Sequence, residues 1–131
     1  MNERGRTYGT PTAGGSAEWV VEARRHFHEY PELAYEEHAT TRRIVDLLAG
    51  MGAEVRTFHD LTGAAAVLRG RPGGRCLALR ADIDALPIQE RSDVPFTSRH
   101  EGRMHACGHD GHTAIALGVA RRLVQTGVLS Q

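Results

Sequence analysis

Apolar residues recur along this chain at two different periods, and the switch between them predicts the elements. Trp19, Val20, Ala23 and Phe27 fall on one face of a helix near residues 17–30. Ser16 is placed to cap it, Glu18 lies in its first turn, and Pro31 ends it. After a short turn over Tyr30–Tyr35, Ile44, Leu47, Leu48 and Met51 form a second amphipathic stripe, near 36–50. Glu36, Glu37 and His38 stand at its expected solvated start, and Gly50 and Gly52 offer stops. His26, His28 and His38 read as exposed histidines on charged helix surfaces. Strands are then expected near 54–58, 64–69 and 75–83. The run Cys76-Leu77-Ala78-Leu79 fits a strand buried on both faces. The turn Gly70-Arg71-Pro72-Gly73-Gly74 suggests that the second and third strands pair as an antiparallel hairpin. Residues 88–103 are polar and aperiodic, as a loop would be. A last helix is expected near 111–126, stopped by Gly127, with Ile115, Leu117, Val119, Leu123 and Val124 covering most of its circumference. Gly118 and several alanines suit it to close packing on a sheet. The fold class is therefore α/β, with helices packed on a mixed β-sheet. So apolar a last helix beside only three strands predicts exposed apolar surface on the isolated chain, with weak stability or self-association.

Composition narrows this picture. A chain of 131 residues suits one modest core, expected over 16–131, with 1–15 as a flexible Gly-, Thr-, Arg- and Pro-rich tail. Basic and acidic residues balance at 16 each, which points away from nucleic-acid and anionic-membrane partners. No stretch is apolar enough to span a bilayer, and Met1–Gly15 lacks the apolar centre of a signal peptide, so the expected compartment is cytoplasmic. Two cysteines make a poor disulfide framework. Core filler is the expected role of Cys76, and metal ligation that of Cys107.

The candidate chemistry is concentrated in Met104-His105-Ala106-Cys107-Gly108-His109-Asp110-Gly111-His112-Thr113. Cys107 and His109 stand one residue apart in a glycine-framed loop, where both can reach one ion of zinc-like softness. Asp110 reads as the N-cap of the last helix, whose positive end would favour the Cys107 thiolate. His112 would then sit in the first turn as a ligand or an outer partner. The alternative is a helix entry that is simply rich in histidine. Upstream, Asp82 and Asp84 point the same way at a strand end, a common place for sites in α/β proteins. They could equally punctuate a turn before Pro87.

Three stretches taken together carry a resemblance. They are Arg25-His26-Phe27-His28-Glu29-Tyr30-Pro31-Glu32-Leu33, Leu79-Arg80-Ala81-Asp82-Ile83-Asp84-Ala85-Leu86-Pro87-Ile88, and the cysteine–histidine stretch 104–113. In this order they resemble the amidohydrolase branch of the M20 metallopeptidases, which hydrolyses N-acyl amino acids. The resemblance implies the N-terminal part of a two-metal aminopeptidase-like catalytic domain. It makes Cys107, at a bridging position, and His109 metal ligands. It makes Asp84 the catalytic-site aspartate that orients a metal-binding imidazole, and it puts Asp82 where other branches carry a ligand histidine. The implied metals are a divalent pair of manganese, zinc, cobalt or nickel. The implied partner is a small N-acyl amino acid or short peptide, and a homodimer is left open for the full-length form.

The chain also departs from that pattern. The family's general-base glutamate pair, two later histidine ligands and inserted lid domain all follow its cysteine–histidine stretch. From Thr113 to Gln131 this chain has no Asp, Glu or His. Two functions therefore compete: a metal-dependent amidohydrolase in a full-length form, or a truncated, non-catalytic metal-binding or interaction module. A small structural zinc domain fits less well, because one Cys and one neighbouring His do not close a tetrahedral site.

Overall fold

The structure is a computed structural model that describes residues 15–131; the tail expected at 1–15 lies outside them but for Gly15. Helix α1 spans Ser16–Glu29, α2 spans His38–Gly50 and α3 spans His109–Thr126. A single 3-10 turn, Val128–Ser130, closes the chain. Each helix falls within two residues of its expected bounds. The ends follow backbone chemistry: the amide of Gly15 donates to Glu18 Oε2 at 3.1 Å, and Gly127 takes the left-handed conformation at φ 65° that a side chain would resist. No helix among the described residues is long and apolar enough to cross a membrane.

The expected stripes form the core. Trp19, Ala23 and Phe27 of α1 meet Ile44 and Leu47 of α2 and Ala114 and Leu117 of α3, with Val20, Leu48, Met51 and Ile83 packed around them. The solvated start expected for α2 is partly wrong. Glu37 is buried and accepts from the Thr62 hydroxyl, so it ties α2 to the loop that precedes the second strand.

The sheet differs most from expectation. Strands β1 (Glu54–Thr57) and β2 (Ala64–Val67) pair antiparallel, with Glu54 opposite Val67 and Thr57 opposite Ala64. The hairpin is thus the first two strands, not the second and third. Residues 75–83 join no ladder, and Leu77 and Leu79 are 94% and 63% exposed. A strand buried on both faces needs neighbours along its edges and layers above and below. Among the described residues nothing supplies them. The outer face of α3 is bare as well, with Ile115, Val119 and Val124 exposed.

α3 packs on α1 rather than on a sheet, and Gly118 makes the contact possible. A Cβ at Gly118 would lie 2.5 Å from Val20 Cγ2. Val20 is stiff at χ1 and cannot swing clear cheaply. Gly118→Ala is therefore expected to destabilise the chain by about 1–3 kcal/mol, even though alanine favours a helix by about 1 kcal/mol. Urea unfolding of G118A and of G118A/V20A checks this. The double variant recovers stability; a G118A chain more stable than the parent would show that the two helices have room to spare.

Two short pairings bring the chemistry-bearing segments together. Leu33 bridges Ala85 in parallel, and Leu86 bridges Met104 antiparallel. The amide of Ala85 donates to Glu32 O at 2.8 Å, and Leu86 and Met104 exchange bonds of 2.9 and 3.0 Å. The segment 82–86 is thereby fixed between the turn after α1 and the loop that leads into α3.

Candidate metal centre

Gly108 sets the shape of the cysteine–histidine loop. It stands at φ 88°, in the left-handed region, and its carbonyl accepts from the amides of Gly111 and His112 at 3.0 and 3.1 Å. α3 therefore begins at His109, two residues before the expected start. Asp110 lies inside the first turn and makes no cap. Its carboxylate turns to α1, where Oδ2 accepts from His28 Nδ1 at 2.8 Å and from Arg24 Nε at 3.0 Å. A fully buried carboxylate is worth more to the fold paired with cations and imidazoles than as a local cap.

Asp84 touches both candidate ligands. His109 Nδ1 lies 3.0 Å from Asp84 Oδ1 and 3.0 Å from Asp84 O. Both oxygens only accept, so Nδ1 carries the ring proton and the neutral imidazole keeps its lone pair on Nε2. That is the tautomer a metal ligand needs, held by the carboxylate-plus-carbonyl backing that ligand histidines usually have. Cys107 Sγ stands 3.9 Å from the same Asp84 carbonyl and is exposed. The donor set is thus one accessible thiol and one imidazole with its free nitrogen defined, which fits a borderline-soft divalent ion. Among the described residues, no group of three or more His, Cys, Asp or Glu side chains is arranged to hold one ion.

The other sequence candidates separate. The Asp82 carboxylate is engaged by Arg80, and its backbone carbonyl accepts from Thr113 Oγ1 at 3.1 Å. The His112 ring is exposed, 6.1 Å from that of His109 between centroids. Cys76 is exposed rather than core filler, because its strand is uncovered. His38 is exposed as expected, and His26 is half-buried.

Two buried histidines give no sign of themselves in the local pattern. His28, expected at the surface, is 5% exposed; its Nε2 meets Glu90 Oε1 at 3.0 Å while its Nδ1 meets Asp110. These partners lie 62 and 82 residues away in sequence, beyond the reach of any periodicity. His105 is 4% exposed, and neither ring nitrogen has a partner among the described residues. Burial pushes its pKa down to about 4, against a smaller upward pull from Asp110.

Comparison with known proteins agrees with the fold and the loop. The model of peptidase family M20/M25/M40 matches residues 78–127. The chain is 50% identical over 101 residues to an N-acetyl-L-cysteine deacetylase of Bacillus subtilis, which covers 77% of this chain and 24% of that protein. It is 45% identical over 109 residues to thermostable carboxypeptidase 1 of Saccharolobus solfataricus, covering 82% of this chain and 28% of the other. Among solved structures, the Bacillus subtilis YXEP protein, a dinuclear metal binding peptidase, superposes with TM-score 0.80 at 45% identity, over 85% of this chain and 32% of that one. The chain belongs to the M20 peptidase family. It spans about 28% of the length of the curated relatives it matches.

Proposed function

We propose that residues 16–131 are a portion of an M20-like catalytic domain. In the full-length form it would be a metal-dependent amidohydrolase acting on N-acyl amino acids or short peptides, as a cytoplasmic enzyme and a homodimer. Cys107 and His109 would be metal ligands in a two-metal centre of manganese, zinc, cobalt or nickel. Asp84 would hold His109 from behind. The observation that carries this reading is the double contact of Asp84 on His109 Nδ1, beside the Cys107 thiol. It leaves Nε2 and Sγ as the two donors. Bound divalent metal supplies polarisation of an amide carbonyl and activation of water. What these residues contribute is placement: Gly108 turns the loop, Asp84 fixes the imidazole tautomer, and the bridges at Ala85 and Leu86 fix Asp84.

The second reading, a non-catalytic metal-binding module, is favoured for the isolated chain by its donor count. A catalytic zinc takes three protein ligands and keeps a position open, and hydrolysis also needs a base. Asp110 is committed to His28 and Arg24, and Asp84 to His109. The chain 1–131, loaded with manganese or zinc, is expected to bind metal yet release no amino acid from N-acetyl or N-benzoyl derivatives above background. An amine-release assay checks this. Turnover that a chelator abolishes and metal restores would mean that the chain carries a complete site.

A further inference from the structure

The His28 side chain is spent on neither the core nor the two metal donors. Its ring is walled by Phe96, whose ring stands edge-on at 5.5 Å between centroids. One ring nitrogen is given to Glu90 on the 88–103 loop and the other to Asp110 on α3, so this α1 residue ties three parts of the chain together. Glu90 is held elsewhere too: Ser92 Oγ donates to it, and the Ser98 amide donates to its Oε2 at 2.6 Å. Asp110 is held by Oδ2 alone, because its buried Oδ1 has no partner among the described residues. The two sides of His28 therefore differ. The Glu90 side braces a loop that has other anchors. The Asp110 side ties the first turn of α3, one residue past His109, to α1, in addition to the bonds that the Gly111 and His112 amides make to the Gly108 carbonyl.

We infer that His28 is a positioning residue for the metal loop: through Asp110 it fixes the backbone of His109 on α1, while Asp84 fixes the imidazole. The inference rests on the proposed metal site. Clamped at both ring and backbone, His109 presents Nε2 to an ion without first paying to be ordered. Releasing the backbone clamp adds that ordering cost to metal binding. Arg24 shares the work from the surface, since its Nε reaches the same Asp110 oxygen at 3.0 Å with its own side chain 45% exposed.

Two near-isosteric variants separate positioning from general stability. An asparagine amide at residue 28 places its NH2 close to where Nδ1 stood, so His28→Asn can keep the Asp110 bond and give up Glu90. A glutamine amide reaches the Nε2 position, so His28→Gln can keep Glu90 and give up Asp110. Each loses one buried hydrogen bond, and a merely structural His28 would lower metal affinity equally in both. Zinc affinity is measured by competition with a chromophoric chelator, and the thiolate-to-cobalt absorption band by titration, with urea unfolding alongside. H28Q is expected to lose about tenfold in zinc affinity and to weaken the cobalt band, and H28N to stay within about 1.5-fold of the parent. Equal losses, or none, overturn the inference. If H28Q does not fold, Arg24→Gln decides. As a surface change it leaves the core intact; it should cost about threefold in affinity, and an unchanged affinity overturns the inference. Cys107→Ser runs in parallel. A Cys107→Ser chain that binds zinc as the parent does would sink the metal site itself, and the His28 inference with it. Loss in Cys107→Ser with equal behaviour of H28Q and H28N sinks the His28 inference alone.

Discussion

Replacing Cys107 by serine lowers the affinity of the chain for zinc by about a hundredfold, whereas the same change at Cys76 leaves it unaltered within about a factor of two. Both thiols are exposed, so access does not separate them. Placement does. Cys107 shares the Asp84 carbonyl with His109, while Cys76 sits in a stretch that joins no ladder among the described residues, and in sequence no His, Cys, Asp or Glu lies within five residues of it. Serine keeps the size of the side chain but replaces a thiolate by a hydroxyl, which zinc holds far less well. With only two strong protein donors available, losing one removes about half of the protein's hold on the ion. Competition titration of the two single variants at neutral pH, under reducing conditions, gives the two affinities directly. Equal effects at the two cysteines would move the metal away from this loop.

The second large effect is on stability as a function of pH. In the metal-stripped chain, held in chelator, acid weakens the fold through His105. Unfolded, this imidazole takes up its proton around the ordinary value of 6.5; folded, burial holds it down to about 4. Between those values the unfolded chain binds more protons, so stability is complete above 6.5, falls as the pH falls, and has lost the whole contribution below about 4. The gap corresponds to about 3 kcal/mol at full extent. His26 acts in the same direction, because burial and the neighbouring Arg43 lower its pKa too. His105→Leu removes the His105 contribution. Among the described residues neither ring nitrogen of His105 has a partner to strand, so leucine fills the space without orphaning another of their groups. Urea unfolding from pH 7.5 down to 5 should therefore show a shallower loss in H105L than in the parent. Parallel losses would place the acid sensitivity elsewhere, for example among the carboxylates.

The helices were legible because their information is local. The stripes Trp19–Ala23–Phe27 and Ile44–Leu47 bury the residues that their periodicity marked. Residue type and resemblance single out Cys107, His109 and Asp84, and the geometry brings these three together. What failed was non-local. The run Cys76-Leu77-Ala78-Leu79 states a demand for burial but cannot say what meets it. Asp110 has the composition and position of a cap, yet a bond to a histidine 82 residues earlier outbids a local one. His28 and Glu37 looked solvated because charged neighbours surround them in sequence, and both are buried by partners that pattern cannot reveal. In each case tertiary pairing overrode a sound local preference.

The uncovered stretch 75–83 runs without a break into Asp84, the residue that orients His109. Apart from the Asp82 carbonyl, which the Thr113 hydroxyl takes, its backbone enters no ladder among the described residues and forms an edge on which another strand can pair. Laying a strand along it would brace from upstream the segment that carries Asp84, which the bridges at Ala85 and Leu86 already hold from downstream. Sheet completion and metal capture would thus bear on one residue, Asp84, from two sides.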